Sequence, residues 1–162
     1  MFVFQPPSPD DVDWITAACQ DLDILRFTLV PRPYTAEHAR IFVEDWAGEL
    51  RVWTIRDERT DDGLGVVGVH HVREGVATIG YWVAPWARRR GAAVAAVRFV
   101  CEELATWTDV VSVRATIAST NEASRLVAQR AGLNPSPCSS DEQCPDGDTN
   151  VDAVVYELRL QI

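Results

Sequence analysis

The chain has 162 residues, 47% of them hydrophobic. That suffices to close one core, so a single domain over residues 1–162 is expected. Its 15 basic residues are all arginines and face 24 carboxylates for a net charge of -9, a balance that disfavours non-specific nucleic-acid binding and attracts cationic partners such as amines.

Nowhere does an apolar run approach the roughly 18 residues of a membrane span, and the opening MFVFQPPSPDD lacks a signal peptide's basic leader. A cytoplasmic protein without membrane contact is therefore expected. Ser8-Pro9-Asp10-Asp11 starts a helix: a hydroxyl cap, proline at the first position, then acids at the positive end of the dipole. Val12, Ile15 and Cys19 form its buried stripe. After a connection over 21–34, Thr35 caps a second helix whose Ala39, Phe42, Val43 and Trp46 recur at helical spacing. RVWTIR and LGVVGVHHV read as strands, and the turn REG leads into a third, VATIGYWV, which suggests an antiparallel meander.

Residues 91–105 carry Val94, Val97, Val100, Cys101 and Leu104 on one helical face and Arg98, Glu102 and Glu103 on the other. VVSVRATI is a further strand, after which Ser119 and Glu122 stand at capping-box spacing for a helix ending at Gly132. Residues 134–150 are a polar loop, and VDAVVYELRL closes with strand-like alternation. Cys19 and Cys101 fall in apolar helical patterns, while Cys138 and Cys144 lie in the polar loop without a partner motif. No disulfide scaffold and no metal site is expected.

One stretch needs a reason: VAPWARRRGAAV, residues 83–94, sets three arginines on the loop that feeds a helix. A helix N-terminus offers unpaired N–H groups and a positive dipole end. Small residues at Gly91, Ala92 and Ala93 let an anion approach the backbone, and Arg88, Arg89 and Arg90 supply fork-shaped contacts to phosphate oxygens. The alternatives are a merely solvated basic loop and a nucleic-acid contact, the second opposed by the acidic remainder of the chain.

The order strand, V-x-P, R-x-x-G-x-A, helix, strand, N-x-x-S helix resembles the acetyl-CoA-binding core of the GNAT superfamily of N-acetyltransferases. GYWVAPWARRRGAA, NEASRLVAQRAGL and PYTAEHARIFV are similar to its Rim-type branch, which acetylates ribosomal-protein N-termini, over most of residues 10–133. The resemblance implies an α/β (α+β) domain, with a mixed, mostly antiparallel sheet of six to seven strands and about four helices. Acetyl-CoA binds at the splayed central strands as cosubstrate, and an amine is the acceptor. It implies that the loop at Arg88, Gly91 and Ala93 holds the pyrophosphate, that Trp82 and Val83 offer backbone groups to the pantetheine arm, and that Asn121 and Ser124 approach it from the following helix.

The catalytic set departs from the family. The last-helix tyrosine that serves as general acid is replaced by Ala128, which leaves Ser124 as the candidate, and the branch's glutamate before I-G-Y is Thr78. His70 and His71, adjacent on a strand, are expected to face opposite ways, so that one addresses the site; water-mediated deprotonation is the alternative. Phe27, Pro31 and Tyr34 fall where the family's acceptor pocket is lined. The missing glutamate and tyrosine also motivate a non-catalytic CoA-binding sensor or partner subunit. The protein is expected to be a monomer or homodimer.

Overall fold

Strand alternation along the chain builds one twisted mixed sheet in the computed structural model, which describes residues 1–137 and 141–161. Its strands are β1 (Phe2–Gln5), β2 (Arg51–Asp57), β3 (Gly63–Arg73), β4 (Val76–Val83), β5 (Ser112–Ala118), β6 (Asn134–Pro135), β7 (Gln143–Asp146) and β8 (Thr149–Arg159). They lie in the order β1-β2-β3-β4-β5-β8-β6, with β7 paired separately on β8. The predicted meander is β2–β3–β4. Its last turn places Glu74 and Gly75 at φ 51° and 79°, the paired positive values that match the twist of a tight hairpin. β4 and β5 run parallel, which obliges the chain to cross over between them, here through a helix.

Five helices cover the sheet: α1 (Val12–Ala18), α2 (Leu22–Phe27), α3 (Ala36–Asp45), α4 (Ala92–Leu104) and α5 (Glu122–Arg130). Among the described residues, eight strands and five α-helices exceed the six to seven and about four expected. The additions are short: β1, β6 and β7 have four, two and four residues, and α2 has six. Such segments carry too few residues for a periodic pattern to show. The α5 cap is Asn121, whose Oδ1 accepts the Ser124 N–H at 3.2 Å, two residues beyond the expected Ser119.

The two faces are occupied differently. On one, Phe99 of α4 stacks on Phe4 at 4.4 Å and meets Trp53 edge-on at 5.4 Å, and the buried stripe Ala96, Val97, Val100, Cys101 and Leu104 completes the contact. On the other, Trp14 of α1 lies 5.9 Å from Trp82. No described helix is long and apolar enough to cross a membrane. Cys19, Cys101 and Cys144 are free thiols; Cys138 lies outside the described residues.

A buried ion pair fixes α1 to the sheet. Asp11, 1% exposed, accepts from Arg56 of β2, from the Trp14 indole at 2.8 Å and from the Ser8 amide at 2.8 Å. Removing one partner of such a pair strands the other charge in low dielectric. Asp11→Ala is therefore expected to cost about 3–5 kcal/mol, measured by urea denaturation; a loss below about 1 kcal/mol would show that water reaches Arg56.

Candidate active site: a splayed sheet and the turn beyond it

The parallel ladder stops half-way. β4 and β5 pair from Val76↔Ser112 to Ile79↔Ala115 and no farther. The direction of the backbone groups beyond that point follows from two hydrogen bonds. Ala84 N donates to Leu64 O at 2.8 Å, towards β3, and Ser119 N donates to Asp152 O at 2.9 Å, towards β8. Backbone groups alternate sides along a strand, so Tyr81 and Val83 on β4, and Thr116 and Ala118 on β5, turn theirs into the gap. Trp82 directs its backbone at β3 instead. Of the two residues expected to offer backbone groups here, Val83 does so, joined by Tyr81; Trp82 contributes a side chain on the α1 face.

On the β5 side the exposed carbonyls are taken. Cys144 lies 3.7 Å from Thr116 O through its sulfur, and Asn121 N donates to Ala118 O at 2.9 Å. Among the described residues the β4 side has no such partner, and an unpaired strand edge of this kind can be extended by an added strand.

β4 leads straight into the arginine turn. Arg89 and Gly91 have φ of 62° and 79°, and left-handed residues in a loop allow successive N–H groups to line a concavity. Gly91 is the N-cap of α4 without a capping side chain, leaving the first-turn amides unpaired. A Cβ on Gly91 would meet nothing within 4 Å, so the space before the helix is open.

The three arginines are not alike. Arg88 grips Asp21, the N-cap of α2, whose carboxyl is held below the usual range mainly by that hydrogen bond. Arg90 pairs with Asp57, which also accepts the Arg59 and Thr60 amides of the β2–β3 turn at 2.8 and 3.2 Å. Arg89 makes no ion pair among the described residues. Two of the three guanidiniums expected to reach phosphate are thus engaged in holding the turn, because the chain's excess carboxylates find them first.

α5 closes the gap on the α4 face. Ser124 sits half-buried in its first turn, and the Tyr81 hydroxyl donates to Ser124 O at 2.8 Å. The sequence reading missed Tyr81, whose place on the gap edge depends on where the ladder stops. Ala128, one turn on, is fully buried.

The opposite face is framed by α2. Arg26 at its C-terminal end forms a two-pronged pair with Asp146 at 2.5 and 3.1 Å, and Asp146 also accepts Thr120 Oγ1 at 2.7 Å. Phe27 is half-buried, Pro31 is exposed, and Tyr34 is a core residue at 7% exposure. The two histidines depart from expectation. β3 shifts register between Val69 and His71, a β-bulge that sets Val69 opposite Ile79 and His71 opposite Thr78. His71 therefore shares Thr78's face, and His70 lies over Gly80 on that same face, where a Cβ on Gly80 would meet its Nε2 at 2.5 Å.

The sequence matches the acetyltransferase (GNAT) domain family over residues 2–134. The chain belongs to the GNAT acetyltransferase family. It is an acetyl-CoA-dependent acetyltransferase by that membership, with acetyl-CoA as cosubstrate. Among proteins of curated function, none matches the sequence significantly.

Solved structures share the fold. RimL, a ribosomal-protein alpha-N-acetyltransferase in complex with coenzyme A, superposes with a TM-score of 0.82 at 17% identity, covering 98% of this chain and 94% of that one. A microcin self-immunity acetyltransferase in complex with acetyl-CoA and AMP gives 0.84 at 14% identity, with coverages of 98% and 92%. Spermidine N-acetyltransferase from Vibrio cholerae, in complex with CoA and spermine, gives 0.77 at 13% identity, with coverages of 98% and 95%.

Burial pushes the Tyr81 phenol up to about 12, partly opposed by its hydrogen bond to Ser124. A raised folded-state value means that its contribution to stability is complete below the ordinary tyrosine value of about 10 and is lost as pH rises through 12. Denaturant titrations between pH 8 and 12 should show this fall, and Tyr81→Phe should lessen it at a cost near neutrality of about 1 kcal/mol. An equally steep fall in the variant would assign the effect elsewhere.

Proposed function

We propose that the protein transfers the acetyl group of acetyl-CoA to a primary amine, on a peptide N-terminus or a small molecule, by direct attack within a ternary complex. The observation that carries this reading is the unpaired edge of β4 running into the open amides of α4. An extended arm and a diphosphate, joined in that order, match those two features in sequence.

The roles follow from the geometry. Val83 pairs through its backbone with the pantetheine arm, and the Tyr81 N–H, first on β4 without a β5 partner, donates to the thioester carbonyl, where negative charge gathers as the amine attacks. The amides around Gly91, Ala92 and Ala93 take the diphosphate, with Arg89 as the free guanidinium. Arg88 and Arg90 hold the turn in shape. Asn121 caps α5 with its Oδ1 and turns its amide nitrogen to the arm. Ser124, on the first turn of α5, supplies a proton to the departing thiolate. Trp82 lines the α1 face, from which the amine enters.

An amine acceptor suits the surroundings. Asp21, Asp23 and Asp146 stand on or beside α2, within a chain of net charge -9, and such a field concentrates cations at the entrance. Two of the structural neighbours act on amines of this kind by their names, a ribosomal-protein N-terminus and spermidine.

Three measurements test the reading. Thiol release from acetyl-CoA is expected with at least one member of a panel of peptide N-termini, polyamines and amino acids; binding without any turnover would favour a CoA sensor. Gly91→Glu, which places a carboxylate in the cradle, should weaken CoA binding by about 100-fold or more, while the left-handed φ adds only roughly 1 kcal/mol of strain. Unchanged calorimetric affinity would mean that the diphosphate lies elsewhere. Ser124→Ala should lower kcat by about 100-fold with CoA affinity retained; full activity would remove the serine from the reaction.

A further inference from the structure

An amine reaches an enzyme largely protonated at neutral pH, and something must relieve it of a proton before its nitrogen can attack. Thr78 occupies the strand position where a carboxylate base is expected, and its hydroxyl is no base at neutral pH. The strand beside it offers a substitute. We propose that His70 is the base that accepts the amine's proton and that Glu49 is the residue positioning its ring. This rests on the amine acetyltransferase reading above.

Four observations carry it. The β-bulge in β3 turns His70 and His71 to one face, the face of Thr78, Gly80 and Trp82; without the extra residue, neighbouring side chains would point to opposite faces. The His70 ring then presents its Nε2–Cε1 edge to Gly80, which has no side chain to displace it, with Nε2 and Cε1 at 2.5 and 2.7 Å from where a Cβ would stand. Gly80 is next to Tyr81, the first β4 residue whose N–H has lost its β5 partner. His70 therefore stands where the sheet opens, on the side away from α4 and α5.

The third observation is the partner. The Glu49 carboxylate is hydrogen-bonded to His70 Nδ1. A carboxylate accepts only, so in the neutral ring the hydrogen sits on Nδ1 and the lone pair is left on Nε2. The same logic orients the histidine of hydrolase triads. The fourth is access. The His70 side chain is 43% exposed while Glu49 is 24% exposed, so the ring reaches solvent or a bound amine and its anchor is the more sheltered of the two.

His71 is the poorer candidate. Its Nδ1 is buried without a hydrogen-bond partner among the described residues. Its pKa is lowered, first by burial and then by Arg73 and His70, with Glu49 and Glu142 opposing. It stands opposite Thr78, three positions before Tyr81 and inside the part of the sheet that is still paired.

The step balances without any further reactant. The ammonium first gives one proton to His70 Nε2, and the resulting imidazolium is held by Glu49. The neutral amine nitrogen then bonds to the thioester carbon, and the carbonyl π pair moves to oxygen, to which the Tyr81 N–H donates. When the carbonyl re-forms, the C–S bond breaks and the sulfur leaves with its electron pair. Ser124 gives its hydroxyl proton to the sulfur as it takes the second proton from the nitrogen, and His70 returns its proton to solvent.

The test follows thiol release with spermidine and with a peptide bearing a free N-terminal serine, for the wild type, H70Q, H71Q, E49Q and G80A. Calorimetric CoA affinity and 15N-histidine spectra are recorded for each. H70Q is expected to lower kcat by about 100-fold with CoA affinity within twofold. E49Q should lower kcat by about tenfold and shift the His70 spectrum away from the Nδ1–H tautomer, a signature that a merely structural role for Glu49 would not move. G80A should displace the His70 resonances and reduce kcat with affinity kept, and H71Q should stay within threefold.

An active wild type whose H70Q retains kcat within threefold, or a loss that falls on H71Q instead, overturns the assignment and leaves the acetyltransferase reading intact. A wild type that binds CoA and releases no thiol with either amine overturns both.

Discussion

The parting of β4 and β5 after Ile79 and Ala115 is the feature on which the site depends. Parallel strands joined by a crossover helix ordinarily stay hydrogen-bonded along their length. Here the Thr116 carbonyl turns to Cys144 and the Ala118 carbonyl to Asn121, so one side of the gap is satisfied within the protein while the β4 side is left for a guest. An unpaired buried edge costs free energy. A fold keeps one where a ligand completes it, and the helix that begins beyond the same strand supplies a second unsatisfied end in line with the first.

Charge pairs hold the surroundings of that gap in register. Arg88 links the turn to the cap of α2, Arg90 links it to the β2–β3 turn, and Arg26 links the other end of α2 to the β7–β8 hairpin. Each pair is partly exposed and individually weak. Together they tie the arginine turn before α4 to α2 and to the turns around it, so that these segments are held as one unit. The absence of lysine fits this use, since a planar guanidinium can hold a carboxylate by two bonds where an ammonium holds it by one.

Much of this was legible in the sequence, for reasons that can be named. Helix α4 was visible because its apolar residues keep a helical period over thirteen positions, and the β3–β4 hairpin because Glu74-Gly75 suits a tight turn. The arginine turn was legible through R-x-x-G-x-A, where small residues and a left-handed glycine leave the backbone open to close approach. Other features lay beyond reach because they depend on register rather than on residue type. Which of Trp82 and Val83 turns its amide to the gap is a matter of strand phase, and the common face of His70 and His71 comes from one extra residue in a bulge. Glu49 gave no sign of its role, being 21 residues from the histidine it holds. The short α2 lies within a stretch that shows only a connection in sequence, because six residues cannot display a period.

The central claim is that a guest strand and a diphosphate occupy the β4 edge and the start of α4 together, and amide hydrogen exchange reads those positions one by one. Addition of coenzyme A is predicted to slow exchange at Tyr81, Val83, Ala92 and Ala93 by tenfold or more, on the order of 1.4 kcal/mol of added protection, while Trp82, already directed at β3, stays as it was. Unchanged rates at all four amides in the presence of bound coenzyme A would contradict the account.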